Sequence, residues 1–423
     1  MFDRFFAFCI YLFTLGMQVM IGMLSRILNP LVSAVLNTSE YRSELHKSIV
    51  NSKDINEICS IQGYTIHDHV VKTKDGYLLT IHRLTNDSLY ADPFKVRPTV
   101  YFHHGLLTNS ELFVLGNHKN KCLPFLLADR GYDVWLGNNR GNKYSRKHIE
   151  MLSKEERFWK FSLDEYAIFD IPDTLNYILD LTQCEKISYV GFSQGSAIGI
   201  ASFSLNPTLA KKINLFVGLS PALIPNNLNH PIARFLVNSS DKLLYSIFGY
   251  RDMLPSTVIW QKLLGSLNYI KVVDKSLIYL FNWKGLNISA SQKEIGYPHM
   301  FSSSSVKSVV HWFQIIKHKR FQMFAEEDSI TDIFNLEKER SKLCRISPFP
   351  IQSLMNLPML LIYGGSDVLI DIKSTQQNLL SNFNNVEAIE RSSYEHMDTL
   401  WADDVEKTVF MPIIDRLDKI HTK

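Results

Sequence analysis

Ser193 stands between Gly191 and Gly195 in the run Tyr-Val-Gly-Phe-Ser-Gln-Gly-Ser of residues 189–196. A serine hydroxyl attacks a carbonyl carbon well only when a base takes its proton and donors receive the oxyanion that forms. Holding it ready calls for a sharp turn from strand to helix, and glycines two residues to either side let that turn close without Cβ clashes. The G-x-S-x-G pattern alone recurs by chance, so its surroundings decide. Residues 186–190 are a short apolar run that reads as a buried strand. Residues 195–205 are small and apolar until Asn206-Pro207 stops them, as in a packed helix.

Such a nucleophile needs a base and an acid. With fourteen histidines in the chain, one somewhere downstream is uninformative. His396 is different, because it lies in a loop between the candidate last strand, 386–390, and a final helix. Asp367 closes Gly364-Gly365-Ser366-Asp367 directly after the apolar run 357–363, at the C-terminal edge of a strand. Asp371, a turn later, is expected to cap or pair locally. The order Ser193, Asp367, His396 is the one expected of a serine elbow on a parallel sheet. The oxyanion donors are expected to be the backbone N–H groups of Gln194 and of Leu106. Leu106 lies in His104-Gly105-Leu106-Leu107, after the strand 98–104.

The elements that must position these groups can be read in turn. Residues 64–73 and 77–84 form a hairpin around Asp75-Gly76. A helix near 124–130 and a strand at 132–136 lead into the loop 137–142, where Arg140 is read as a buttress and not as a binder of substrate carboxylate. Ser162-Leu163-Asp164-Glu165 opens a helix running to about Asp180, kinked at Pro172. After a strand at 215–219 the strand rhythm stops, and 221–346 is helical in pattern and heavy in aromatics, including Trp283 and Trp312. It reads as an inserted cap, an aromatic stripe being more often core than ligand site. His67 and His69 sit at strand spacing, without a third metal ligand, and read as exposed strand histidines. The expectation is an α/β fold with a mostly parallel central sheet and an inserted helical cap.

In 423 residues, 46% hydrophobic and 12% aromatic, there is ample material for one large α/β domain with an insertion. A net charge of +3 without a basic run gives no indication of a nucleic-acid partner. The five scattered cysteines imply no disulfide framework. Residues 5–24 carry no charge and are long enough to cross a bilayer, so a retained membrane anchor is expected over 1–36 with its transmembrane helix at 5–24, a cleavable signal peptide being the alternative, followed by a linker at 37–60. The core then comprises 61–220 and 347–423. Arg4 precedes the apolar stretch while Arg26 and Arg42 follow it, which places the bulk of the chain on the cytosolic side.

These blocks, taken together, resemble the acid lipases: the gastric and lysosomal lipases with the fungal steryl ester hydrolases. The resemblance runs from about Tyr64 to the C-terminus. It is carried by His104-Gly105-Leu106-Leu107, residues 131–138, Arg140-Gly141-Asn142, residues 158–165, Ser193-Gln194-Gly195, Ser308-Val309-Val310-His311-Trp312, Gly364-Gly365-Ser366-Asp367 and residues 394–398. It implies an α/β-hydrolase fold, with Ser193 as nucleophile, His396 as base, Asp367 as acid, and Leu106 and Gln194 as oxyanion donors. It also implies hydrolysis of neutral lipid esters, steryl esters first and triacylglycerols as the alternative, with no metal or organic cofactor. Phe192 departs from the histidine usual before the serine. The apolar N-terminus resembles the membrane-anchored fungal members, and so implies a membrane or lipid-droplet surface as partner and the endoplasmic reticulum or lipid droplet as location, with the secretory pathway or a vacuole lumen as the alternative. A reading of another class is a membrane-tethered lipid-binding protein on an inactive hydrolase fold; an acyltransferase would use the same acyl-enzyme.

Overall fold

The computed structural model describes residues 44–86, 96–225, 230–253, 266–326, 346–370, 375 and 383–421. Eight longer strands build the central sheet: β1 Thr65–Lys72, β2 Tyr77–Thr85, β3 Thr99–His103, β4 Asp133–Leu136, β5 Ile187–Phe192, β6 Ile213–Leu219, β7 Met359–Gly364 and β8 Val386–Arg391. Their spatial order is β1-β2-β4-β3-β5-β6-β7-β8, with the short strand Lys147–His148 added to β2. β1 runs antiparallel to β2 and β2 to β4, and every later neighbour is parallel.

Side chains alternate across this sheet with the period of a strand. Val100, Phe102, Val134, Leu136, Val190, Val217, Leu219, Leu360 and Ile362 enter one apolar core. Tyr101, Trp135, Tyr189, Phe216, Met359 and Leu361 enter the other. Both faces are covered, which is why the inner strands read as continuous apolar runs. The expected strands are all present.

Two expectations need correcting. Residues 44–60 are not a linker: Glu44–Val50 and Ile55–Ile61 are short helices, and Ile49, Ile55, Ile58 and Cys59 are buried in the first core. At seven residues each, they are too short for an amphipathic period to stand out. The kink expected at Pro172 is a widened, π-helical turn at Tyr166–Asp170, just before the proline, in which Ile171 N–H reaches back to the Tyr166 carbonyl. Such a turn accommodates a residue with no N–H to donate. The segment 221–346, read as an inserted cap, packs into both cores through two of its helices. Its helices Ala290–Met300 and Val306–His318 place Ile295, Tyr297 and Met300 in the first core and Trp312 and Ile315 in the second. The helices Pro231–Asn238 and Asp241–Phe248 contribute instead to a small separate cluster, where Leu244 packs with Val306 and Val310.

Candidate active site

Because β5, β6 and β7 are parallel, the loops that leave their C-terminal ends share one edge of the sheet. His103, the last residue of β3, pairs with Gly191 of β5, so the loop after β3 also begins there. Ser193 has φ 52° and ψ −118°, a conformation that side chains rarely adopt. It is held by its N–H on the Leu219 carbonyl at 2.9 Å and by the Ser196 N–H on its own carbonyl at 3.0 Å. A Cβ at residue 195 would lie 2.2 Å from the His103 carbonyl oxygen, so the elbow and the end of β3 can approach only with glycine there.

His396 Nε2 lies 2.8 Å from Ser193 Oγ, and His396 Nδ1 lies 2.6 Å from Asp367 Oδ2. A carboxylate accepts, so Nδ1 carries the hydrogen and Nε2 is left to accept from the serine. That tautomer suits a general base. The other Asp367 oxygen accepts Leu369 N–H at 2.9 Å. The loop of Asp367 and the loop of His396 are tied together by Gly365 N–H on the Arg391 carbonyl, 2.9 Å, and Ser366 N–H on the Tyr394 carbonyl, 3.0 Å. His396 and Asp367 are buried, whereas Ser193 is partly accessible, as an attacking group must be. Asp371 lies outside the described residues.

Gln194 begins the twelve-residue helix Gln194–Leu205, so its N–H belongs to the first turn, where backbone donors have no intrahelical partner. The positive end of the helix dipole adds to it. Its side chain is fixed separately, with Trp312 Nε1–H donating to Oε1 at 2.6 Å. The Gly105 carbonyl is gripped by His104 Nδ1 at 2.8 Å and by the Thr108 hydroxyl at 2.9 Å. A trans peptide points its N–H opposite to its C=O, so this grip sets the direction of Leu106 N–H.

His104 is fixed in turn. Its Nε2 accepts Asn139 N–H at 3.1 Å, which makes Nδ1 the protonated nitrogen that donates to Gly105. Burial pushes its proton affinity down to about 4, opposed by the Gly105 bond, so it is a neutral donor. Asn142 joins through Nδ2, 3.2 Å from the same nitrogen. The 137–142 loop is therefore a floor beneath the loop after β3. Arg140 is buried in it as a buttress, pairing with Asp170 at 2.6 Å and with Asp75 of the hairpin turn.

The sequence pattern gave Thr108, Asn139, Trp283 and Trp312 no role at the site. Threonine and asparagine carry no type signal of their own, and the two tryptophans were submerged in an aromatic-rich segment. His67 bonds the Thr85 hydroxyl at 3.1 Å and His69 the Tyr177 hydroxyl at 2.9 Å. Among the described residues no group of three or more His, Cys, Asp or Glu could hold a metal ion.

Comparison with known proteins agrees with this architecture. The alpha/beta hydrolase fold family matches residues 98–403, and the partial alpha/beta-hydrolase lipase region matches 55–117. A probable lipase of Schizosaccharomyces pombe is 44% identical over 370 residues, 88% of this chain and 81% of that one. Gastric triacylglycerol lipase of Rattus norvegicus is 33% identical, over 85% and 90% of the two chains. Human lysosomal acid lipase/cholesteryl ester hydrolase is 32% identical, over 86% and 91%. A solved structure of a putative lipase from Sulfolobus solfataricus shares the fold, with a TM-score of 0.54 at 13% identity over 84% of this chain and 95% of that one. The chain belongs to the alpha/beta hydrolase fold family, among its acid lipases. It is a carboxylic ester hydrolase.

Proposed function

We propose that the protein hydrolyses neutral lipid esters through an acyl-enzyme on Ser193, with His396 as base and Asp367 as acid, and that steryl esters are its preferred substrates. The observation that carries the reading is the relay of 2.8 and 2.6 Å running from Ser193 through His396 to Asp367. Ser193 Oγ attacks the ester carbonyl carbon as His396 Nε2 takes its proton. The carbonyl electron pair moves onto oxygen, which Leu106 N–H and Gln194 N–H receive, at about 3 kcal/mol for such a donor. Collapse breaks the bond to the alcohol, and His396 returns the proton to the leaving oxygen. Water then repeats the attack on the acyl group, giving up a proton to His396, and the fatty acid leaves as Ser193 recovers its hydrogen. Asp367 holds the imidazole tautomer and stabilises the imidazolium throughout.

Two features support a lipid surface as the place of work. Ile232, Phe235, Ile247, Tyr250, Tyr279 and Leu286 are exposed in the segment 221–346, as suits contact with an apolar phase. The apolar stretch 5–24, which lies outside the described residues, would tether the domain as a single-pass anchor at the endoplasmic reticulum or a lipid droplet. Relatives named for cholesteryl esters and for triacylglycerols are matched at nearly equal identity, so triacylglycerol hydrolysis is the second reading. The test compares kcat/KM for cholesteryl oleate and triolein in the same mixed micelles, with Ser193→Ala as the blank. A higher value for cholesteryl oleate is expected. A clear preference for triolein overturns the sterol assignment, and hydrolysis of short soluble esters alone overturns both.

A further inference from the structure

One side chain from the segment 221–346 reaches the relay. The helix Ser266–Phe281 ends at Asn282, whose φ of 53° turns the chain. Trp283 follows and lays its ring flat against His396, with centroids 4.9 Å apart and planes within 6°. No hydrogen bond holds the indole there, because its buried Nε1–H meets no acceptor among the described residues. The ring is placed by stacking, on His396 and on Phe281 at 4.7 Å. The backbone just beyond it is clamped: Lys284 N–H and Gly285 N–H donate to the two carboxylate oxygens of Glu395, at 2.9 and 2.7 Å. Glu395 immediately precedes His396. Residues 281–285 and the loop of the base are therefore one bonded unit, although far apart in the chain.

We infer that Trp283 is a positioning residue for the base: it fixes the plane of His396 and stabilises the imidazolium that exists only while the serine proton rests on it. A cation over the face of an indole within about 6 Å is attracted by the ring quadrupole, and a neutral imidazole much less. The contact thus strengthens as charge develops, which accelerates the chemical step without tightening substrate binding. Asp367 supports the same charge from the edge of the ring, and Trp283 supports it from the face. Among the described residues, the other charged groups on the loop of His396 and on the segment packed against it are Glu395 and Asp398, Lys284, and Asp274 of the helix Ser266–Phe281, paired with Lys293 at 3.2 Å. Asp398 accepts from Asn287 Nδ2 and from Glu395 N–H. None of these is altered by exchanging Trp283, so a change in pH profile reports the ring.

The inference rests on His396 being the base of the proposed relay. The test measures kcat and KM on p-nitrophenyl butyrate from about pH 5 to 9, for the full chain and for Trp283→Leu, Trp283→Phe and Ser193→Ala. Leucine keeps the site apolar, so the change does not come from admitting water to His396. Trp283→Leu should lower kcat about tenfold with KM within about twofold, and move the acid limb of kcat to lower pH by about half a unit. Trp283→Phe should restore most of both. Wild-type kcat and limb in Trp283→Leu overturn the inference, and so does a loss confined to KM, which would make Trp283 a wall of the substrate site. Activity surviving in Ser193→Ala would instead overturn the relay. Should the leucine variant melt early in circular dichroism, Trp283→Met replaces it under the same criteria.

Discussion

In the proposed mechanism Ser193 and His396 each take a step that no neighbouring group supplies, so their loss should be nearly complete. Ser193→Ala and His396→Ala are expected to lower kcat by roughly 10⁴- to 10⁶-fold on a soluble ester, with an unchanged circular dichroism spectrum. Near wild-type turnover in either variant would remove the assignment. Asp367→Asn should cost about 10⁴-fold through the wrong imidazole tautomer, and Asp371→Asn little; the reverse order would move the acid to Asp371. The grip on the Gly105 carbonyl carries a milder prediction. Thr108→Val removes one of its two donors while His104 keeps the other. A fall in kcat of about three- to tenfold with KM nearly constant is expected, less than the loss of a whole oxyanion donor. The groups of the relay could be read from sequence because the chemistry dictates their types and the sheet dictates their order. The groups that hold them could not. Asn139 and Thr108 act through backbone atoms that only the fold brings near, and nothing in the spacing of Trp283 points to a histidine 113 positions later.

Among the elements, the inner strands were legible because burial on both faces leaves a continuous apolar run. The capping box at Ser162 was equally plain: Ser162 N–H donates to Glu165 Oε2 at 2.6 Å. The helices at 44–61 were hidden by their shortness, and the merging of 290–318 with the core by the absence of any boundary signal. The helix that Ser162 opens also carries a group with a pH-dependent effect on stability. Asp164 Oδ2 accepts Phe324 N–H at 2.9 Å, while its buried Oδ1 meets no hydrogen-bond donor among the described residues. Burial pushes this carboxyl up to about 7, against the opposing Phe324 bond. The folded protein therefore keeps a proton that the unfolded chain releases near pH 4. Stability from this group is full below that range and is lost as pH rises through about 7. Asp164→Asn keeps an acceptor for Phe324 and never ionises. It should match wild type in Tm near pH 4 and exceed it by about 1–3 °C at pH 8. Parallel Tm curves for the two proteins across that range would show that Asp164 ionises freely in the folded state.

At the scale of the whole molecule, the proposed anchor at residues 5–24 carries a prediction about which side of a membrane the domain would face. Among the described residues no helix is long and apolar enough to cross a bilayer, so the proposed anchor rests on the sequence of residues 5–24 alone. Two arginines follow that stretch within the first 42 residues and one precedes it, which predicts a cytosolic domain. Glycosylation reports the side directly, because Asn37, Asn86, Asn238 and Asn287 each begin an N-x-[ST] sequon. The folded structure ranks the described three. Asn287 Nδ2 donates to the Ser393 carbonyl and to Asp398 Oδ2, both at 2.8 Å, so a sugar there would break a contact beside the base. Asn86 Nδ2 donates to Asp129 Oδ1 at 3.1 Å. Asn238 is exposed at the end of the helix Pro231–Asn238, with an Nδ2 bond to the carbonyl of Arg234 in its own helix. A transferase in a lumen would find Asn238 first. The expected outcome is no change in gel mobility on endoglycosidase treatment of the full chain expressed in a eukaryotic cell. A shift that disappears in Asn238→Gln would put the domain on the lumenal side, and the charge asymmetry around residues 5–24 would then have been overruled during insertion.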